Sequence, residues 1–147
     1  MNRGFKIIKG YEDKNINLPK RATKHSAGYD FEAAEDTVIK KGKIPTLVKT
    51  GIKAYMKEGE VLYLYNRSSN PKKKGIVLAN SVGVIDKDYF ENEDNDGHIM
   101  FSFFNIKDED ILIKKGERIG QGVFMKFEIA DEDDAKGERS GGFGSTN

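Results

Sequence analysis

The sequence predicts an all-β fold, a barrel or sandwich of short strands in one domain. Three observations carry that prediction. Short runs of β-branched and aromatic residues recur along the chain between glycine, proline, asparagine and aspartate punctuation. Sustained 3.6-residue apolar periodicity is almost absent. No internal repeat or linker divides the 147 residues, a length that fits one domain with its own core.

Taken in order, Phe5-Lys6-Ile7-Ile8 reads as a short strand stopped by Gly10. Residues 11–26 are polar, contain Pro19 and read as loop. In 27–33, Tyr29, Phe31 and Ala33 alternate with polar positions, the pattern of a half-buried strand entered through Gly28. Residues 37–39 form a brief strand before a basic turn at 40–43. Residues 45–48 and 51–56 read as two further strands. Val61-Leu62-Tyr63-Leu64-Tyr65 lacks polar alternation and predicts a strand buried on both faces. Arg67-Ser68-Ser69-Asn70-Pro71 offers capping residues and then proline, and Lys72-Lys73-Lys74-Gly75 a stop, so one short helix is expected there. Residues 75–78, 82–85, 99–104, 111–113 and 118–129 complete the strands, and the acidic, Asn-rich 90–97 is loop. Residues 131–147 are acidic and then glycine-rich, with Phe143 their one large apolar side chain. They cannot pack a core. The expected division is therefore a barrel domain over 1–130 and a mobile arm over 131–147.

Composition excludes several function classes. Hydrophobic residues make up 37% and charged residues 33%, a polar average for a single core that suggests burial by oligomerisation. The net charge of +1 gives no global field for nucleic acid or an anionic membrane, and neither is expected as a partner. There is no cysteine, hence no disulfide or thiolate site. No run approaches the ~20 apolar residues of a membrane span, and residues 1–10 lack the apolar run of a signal peptide, so a cytoplasmic location is the default. The two histidines are far apart in sequence, which argues against a histidine metal site, and both read as surface or loop residues.

Three stretches carry chemistry, each with a plainer alternative. Arg67-Ser68-Ser69 at a helix start suits a phosphate, through hydroxyls and a guanidinium; it also suits a simple N-cap. Asp86 ends the apolar Val82-Gly83-Val84-Ile85 strand, where a partly desolvated carboxylate makes a credible general base; it also reads as a strand-end turn, and Asp88 is a nearby decoy. Gly141-Gly142-Phe143-Gly144-Ser145-Thr146, after Arg139, offers close backbone amides and hydroxyls, though it lacks a Walker ending; a flexible tail is the plain alternative, and the aromatic and the arginine are what it does not explain. Gln121 sits in a strand as a hydrogen-bonder or ligand contact. The acids of 91–96 do not match an EF-hand loop, and no metal is assigned to them.

In order, 27–30 (Ala-Gly-Tyr-Asp), Arg67-Ser68-Ser69, Asn80 with 83–89 (Gly-Val-Ile-Asp-Lys-Asp-Tyr), 116–121 (Gly-Glu-Arg-Ile-Gly-Gln) and 139–146 (Arg-Ser-Gly-Gly-Phe-Gly-Ser-Thr) resemble the five motifs of the homotrimeric dUTPases. The resemblance covers residues 27–146. It implies a jelly-roll-like β-barrel with one short helix, assembled as a trimer whose active sites are each shared by three chains. It also implies hydrolysis of dUTP to dUMP and pyrophosphate, with Mg2+ on the triphosphate, limiting uracil in DNA and supplying dUMP for dTMP synthesis. Carried over by position, Asp86 would activate the water that attacks the α-phosphorus. Asn80, Gly83, Val84 and Ile85 would read uracil, with Met100 on its edge and Phe143 of the arm stacked on it. Tyr89 would close the sugar side against a 2′-hydroxyl. Arg67, Ser68, Ser69, Gln121, Arg139, Gly144, Ser145 and Thr146 would hold the phosphates. Asp30 would stand behind them, on Arg67 or on a metal-bound water. No protein side chain would ligate the metal directly.

The sequence departs from the family pattern at Asn66, where proline is usual before Arg-Ser-Ser, at Gly120, where alanine is common, and at Asn147, where glycine is common. Seven residues separate Tyr89 from Gly97, where a Tyr-x-Gly turn is usual. A similar expansion occurs in dUTPases of Gram-positive bacteria and their phages. Two alternatives share the resemblance: a dCTP deaminase-like enzyme of the same fold, and a phage-type dUTPase that also captures a repressor.

Overall fold

The structure, a computed structural model, describes residues 1–142. Eleven strands appear: β1 Gly4–Ile7, β2 Lys20–Arg21, β3 Tyr29–Glu32, β4 Thr37–Ile39, β5 Thr46–Tyr55, β6 Glu60–Asn66, β7 Ile76–Leu78, β8 Gly83–Ile85, β9 Ile99–Asn105, β10 Ile111–Ile113 and β11 Arg118–Lys126. Every pairing is antiparallel. One sheet has the order β1-β5-β9-β7, a second β2-β3-β11-β6-β8, and β10-β4 form a small third. This is the expected jelly-roll-like all-β architecture.

The inner faces of the two large sheets meet in one core. Phe31 of β3 packs on Phe101 of β9 with ring centroids 5.4 Å apart, and Phe5 of β1 meets Phe31 edge-on at 5.5 Å. Ile39, Val48, Ile52, Leu62, Ile76, Ile99, Phe103, Ile113 and Ile119 fill the rest. β9 alternates buried and half-buried residues strictly, as a strand with one core face should.

Several elements differ from the sequence reading, each for a local reason. The two strands expected over 45–56 are one strand, β5, interrupted by a register shift between Lys49 and Ile52. Gly51 adopts φ +72° in that bulge, and the Thr50 hydroxyl donates to Ile99 O at 2.6 Å. β6 is buried on both faces only over its first three residues. The last strand stops at Lys126 rather than 129. The expected short helix is a single π-helical turn, Asn70–Lys74, closed by Gly75 in the left-handed region at φ +69°. A 3₁₀ turn at Lys87–Tyr89 and the two-residue β2 had no counterpart in the sequence reading. Beyond Lys126, residues 127–138 are exposed and form no strand or helix.

Candidate active site

β8 is the edge strand of the five-stranded sheet and pairs on one side only, with β6. Its other side carries unpaired backbone N–H and C=O groups. A cavity of about 270 Å³ opens there, lined by Leu64, Asn80, Gly83, Val84, Ile85, Asp86, Tyr89, Met100, Arg139 and Gly142. All the described residues expected to handle base, sugar and attacking water are therefore in one pocket. Gly83 is required for close packing: a Cβ there would fall 2.9 Å from Leu64 Cβ. Phe143 and the donors Gly144, Ser145 and Thr146 lie outside the described residues.

The Asp86 side chain is 51% exposed in the single chain. Strand β8 ends one residue earlier, so the carboxylate projects from the rim. Arg139 holds it there. Arg139 Nη2 donates to Asp86 Oδ2 at 2.6 Å, Nε to Asp88 Oδ1 at 2.7 Å, and Nη1 to Gly141 O at 2.9 Å. The guanidinium also sits 5.9 Å from the Tyr89 ring centroid. The arm thus lies on its own chain's pocket, with Gly142 against the Tyr89 ring.

Tyr89 is buried, and its hydroxyl donates to His98 O at 2.6 Å and accepts from Asn95 Nδ2 at 2.8 Å. Burial raises the phenol above its ordinary pKa, while the Asn95 hydrogen bond and the Arg139 charge pull it down. It is a neutral, rigid wall.

The remaining expected residues gather elsewhere. Gln121 of β11 stands opposite Asp30 of β3 and Tyr65 of β6. Its Nε2 donates to Asn66 O at 3.4 Å, and a Cβ at position 28 would overlap its Oε1. Arg67, Ser68 and Ser69 leave the end of β6 beside it. Ser69 opens the π turn without a side-chain cap bond, so its hydroxyl is not consumed as a cap. With one turn following it, the helix dipole adds little, and the phosphate argument rests on side chains. The carboxylate of Asp30 faces Arg118 Nη1 at 3.6 Å; Arg67 Nη1 donates instead to Arg118 O at 3.4 Å. Arg118 therefore stands where the sequence reading put Arg67.

These two groups are far apart within one chain. Ile85 pairs with Leu62, which puts Asp86 level with Val61. Arg67 lies just past the end of β6, six residues on from Val61, so at ~3.3 Å per residue the separation is about 20 Å.

Sequence reasoning missed four supporting residues. Asn70 is fully buried and ties the Arg-Ser-Ser segment to the barrel, donating to Asn66 Oδ1 at 2.6 Å and Ile119 O at 2.8 Å. Lys53 is 4% exposed and pairs with Glu91 at 2.7 Å and Asp96 at 3.0 Å. Burial would lower its pKa, but the bonds to Glu91 and Asp96 outweigh this and raise it. His98 was read as a surface or loop residue; it is buried, accepts from Gly51 N–H at 2.9 Å and packs against Tyr11. Asn95 sat in a stretch whose composition signalled only loop. Lys53, His98 and the Asn70–Ile119 bond have partners far along the chain, and the local bonds of Asn95 depend on a loop conformation that composition does not specify.

The dUTPase family model matches residues 14–147. The chain belongs to the dUTPase family. It is 59% identical over 146 residues to the deoxyuridine 5′-triphosphate nucleotidohydrolase of Lactococcus lactis, covering 98% of this chain and 97% of that one. Its fold superposes on the crystal structure of dUTPase from Streptococcus mutans with TM-score 0.83 and 56% identity, over 87% of this chain and 98% of the other. These relatives make it a Gram-positive-type dUTPase. A dUTPase from Staphylococcus bacteriophage 80alpha shares the fold at TM-score 0.72 and 22% identity, covering 95% of this chain and 99% of that chain.

Proposed function

We propose that this dUTPase hydrolyses dUTP to dUMP and pyrophosphate, with Asp86 activating the attacking water. The observation that carries this reading is the pocket itself. An unpaired strand edge, an asparagine, a carboxylate and a buried tyrosine converge on one cavity of about 270 Å³. Uracil offers an acceptor-donor-acceptor edge, which matches the N–H and C=O groups along β8 with the Asn80 amide beside them. Tyr89 fills the sugar side, where a 2′-hydroxyl would have to fit.

Asp86 is exposed at the rim, within reach of a water. In the free chain Arg139 neutralises it together with Asp88. A triphosphate would offer the guanidinium a stronger, bidentate acceptor, drawing Arg139 to the phosphates and freeing the carboxylate. Phe143, Gly144, Ser145 and Thr146 would follow it over the substrate. Reaction at phosphorus needs mostly positioning and charge neutralisation, which scattered donors and a closing arm supply.

Magnesium belongs to this reading as an ion carried by the substrate phosphates. No cluster of three His, Cys, Asp or Glu side chains that could hold a metal occurs among the described residues. Carried on a triphosphate, such an ion would supply charge neutralisation. The separation of about 20 Å between Asp86 and Arg67 supports a site assembled from several chains, as in a homotrimer. Exposed Val82, Val84, Leu112, Met125 and Phe127 give the single chain apolar surface to bury in such an assembly. The division into a barrel over 1–130 and an arm over 131–147, and a cytoplasmic setting, belong to the same reading; no helix among the described residues is long and apolar enough to cross a membrane.

The test is hydrolysis of dUTP and dCTP, with and without magnesium, by the wild-type chain and Asp86→Ala. Pyrophosphate release from dUTP alone is expected, lost by at least about a thousandfold in Asp86→Ala. Near-normal turnover in that variant would remove Asp86 as the base, and ammonia release from dCTP would point to a deaminase.

A further inference from the structure

The loop between Tyr89 and Gly97 is longer than the turn usual at this point in the family, and its interior is built rather than slack. Asn92 is buried and uses both ends of its amide. Its Oδ1 accepts from Asp94 N at 3.0 Å and Asn95 N at 3.1 Å, while Nδ2 donates to Tyr89 O at 2.7 Å and Asn95 Oδ1 at 2.8 Å. Asn95 Oδ1 also accepts from Gly97 N at 3.1 Å. With two donors facing that oxygen, the Asn95 amide has one sensible orientation, and its NH₂ must face the Tyr89 hydroxyl. The phenol is held from both sides, by Asn95 and by the carbonyl of His98.

The frame around these bonds is equally fixed. Glu91 and Asp96 take left-handed conformations at φ +55° and +60°, both stapled by the buried Lys53. Asp96 also accepts from Lys9 N at 2.9 Å. Gly97, at φ +85°, closes the loop where a Cβ would fall 2.9 Å from both Glu91 N and Tyr89 O. Such a network is what holds a side chain to within a few tenths of an ångström.

We propose that this loop is a positioning device for Tyr89, with Asn95 as its contact residue and Asn92 as its brace, and that it sets how strictly the pocket rejects a 2′-hydroxyl. The inference rests on the reading of Tyr89 as the sugar wall. Discrimination against one added hydroxyl by sterics fails as soon as the wall can recede, because a pocket with slack admits the larger sugar. A ring tethered through its para oxygen cannot recede. A ring tethered only by packing can tilt.

The experiment compares kcat/KM for dUTP and UTP in the wild-type protein, Asn95→Ala, Asn95→Asp, Tyr89→Phe and Tyr89→Ala, alongside thermal unfolding of each. Asn95→Ala is expected to lower the dUTP-to-UTP ratio at least about tenfold, through a gain with UTP, while kcat for dUTP falls less than about threefold. Asn95→Asp keeps the acceptor for Gly97 and Asn92 but cannot donate to the phenol, whose single proton must then serve either the carboxylate or His98 O; one tether is lost, and its ratio should fall with that of Asn95→Ala. Tyr89→Phe keeps the ring and removes both tethers, whereas Asn95→Ala leaves the bond to His98 O, so Tyr89→Phe should lower the ratio at least as far as Asn95→Ala. A ratio unchanged in Asn95→Ala and Tyr89→Phe, but collapsed in Tyr89→Ala, overturns the positioning role and leaves the sugar wall standing. A ratio unchanged in Tyr89→Ala overturns both. Loss of Tm and dUTP turnover together in Asn95→Ala, with the ratio intact, would mean a purely structural loop and also overturns the proposal.

Discussion

His98 accepts a hydrogen bond from Gly51 N–H through Nε2, so the ring must be neutral with its proton on Nδ1. Burial first, and the charge of Lys49 second, push its pKa down to about 4. An unfolded histidine titrates near ~6.5. Between those values the unfolded chain binds a proton the folded chain refuses, so stability present above about pH 6.5 is lost as pH falls toward 4. A depression of that size is worth at most about 3 kcal/mol. Denaturant titrations across that range should show the loss in wild type and a flatter profile in His98→Gln, which keeps an acceptor for Gly51; an unchanged slope would assign the pH dependence elsewhere. The same residue shows what sequence hides. A histidine flanked by glycine and a β-prone run looks like a loop residue until β5 folds against it.

Strand β11 owes its fit to two glycines at the core face. A Cβ on Gly120 would sit 2.7 Å from Phe101 Cδ2 and 2.9 Å from its Cζ, and the Phe101 ring packs against Phe31 and Phe103. Gly122 is similarly close to Phe31 and Leu62. The departure from the alanine common in the family at position 120 is thus matched by a phenylalanine across the core. Gly120→Ala should lower stability by about 1–3 kcal/mol, read as a drop in Tm, and adding Phe101→Leu should recover part of it. Equal Tm values for the single variant and wild type would mean the core relaxes around the methyl. Strand positions were legible because alternation and turn residues mark them locally. The joined β5 was not, since Gly51 looks like a chain break in sequence while its bulge is held by Thr50 and His98 from across the sheet.

For the molecule as a whole, residues from separate motifs, Asn80, Gly83–Asp86, Tyr89, Met100 and Arg139, line one cavity. What sequence did not reveal is that Arg139 grips Asp86 and Asp88 of its own chain, because a motif does not name a residue's partners within the chain. Residues 127–138 make no strand or helix. Truncation after Lys136 should leave the circular dichroism spectrum and the assembly size unchanged and lower kcat/KM for dUTP by about a hundredfold or more. Full activity in the truncated chain would reject the arm as a working part.

The contact between Gly120 and Phe101 also constrains history. A lineage starting from alanine at 120 and a smaller residue at 101 cannot reach the present pair in either order with equal ease. Enlarging 101 first drives a ring into a methyl group. Trimming 120 first leaves only a small void, which costs about 1 kcal/mol and is filled by the second step. From such a start glycine first is the cheaper order, and with the ring in place an alanine at 120 carries the same cost of about 1–3 kcal/mol as Gly120→Ala.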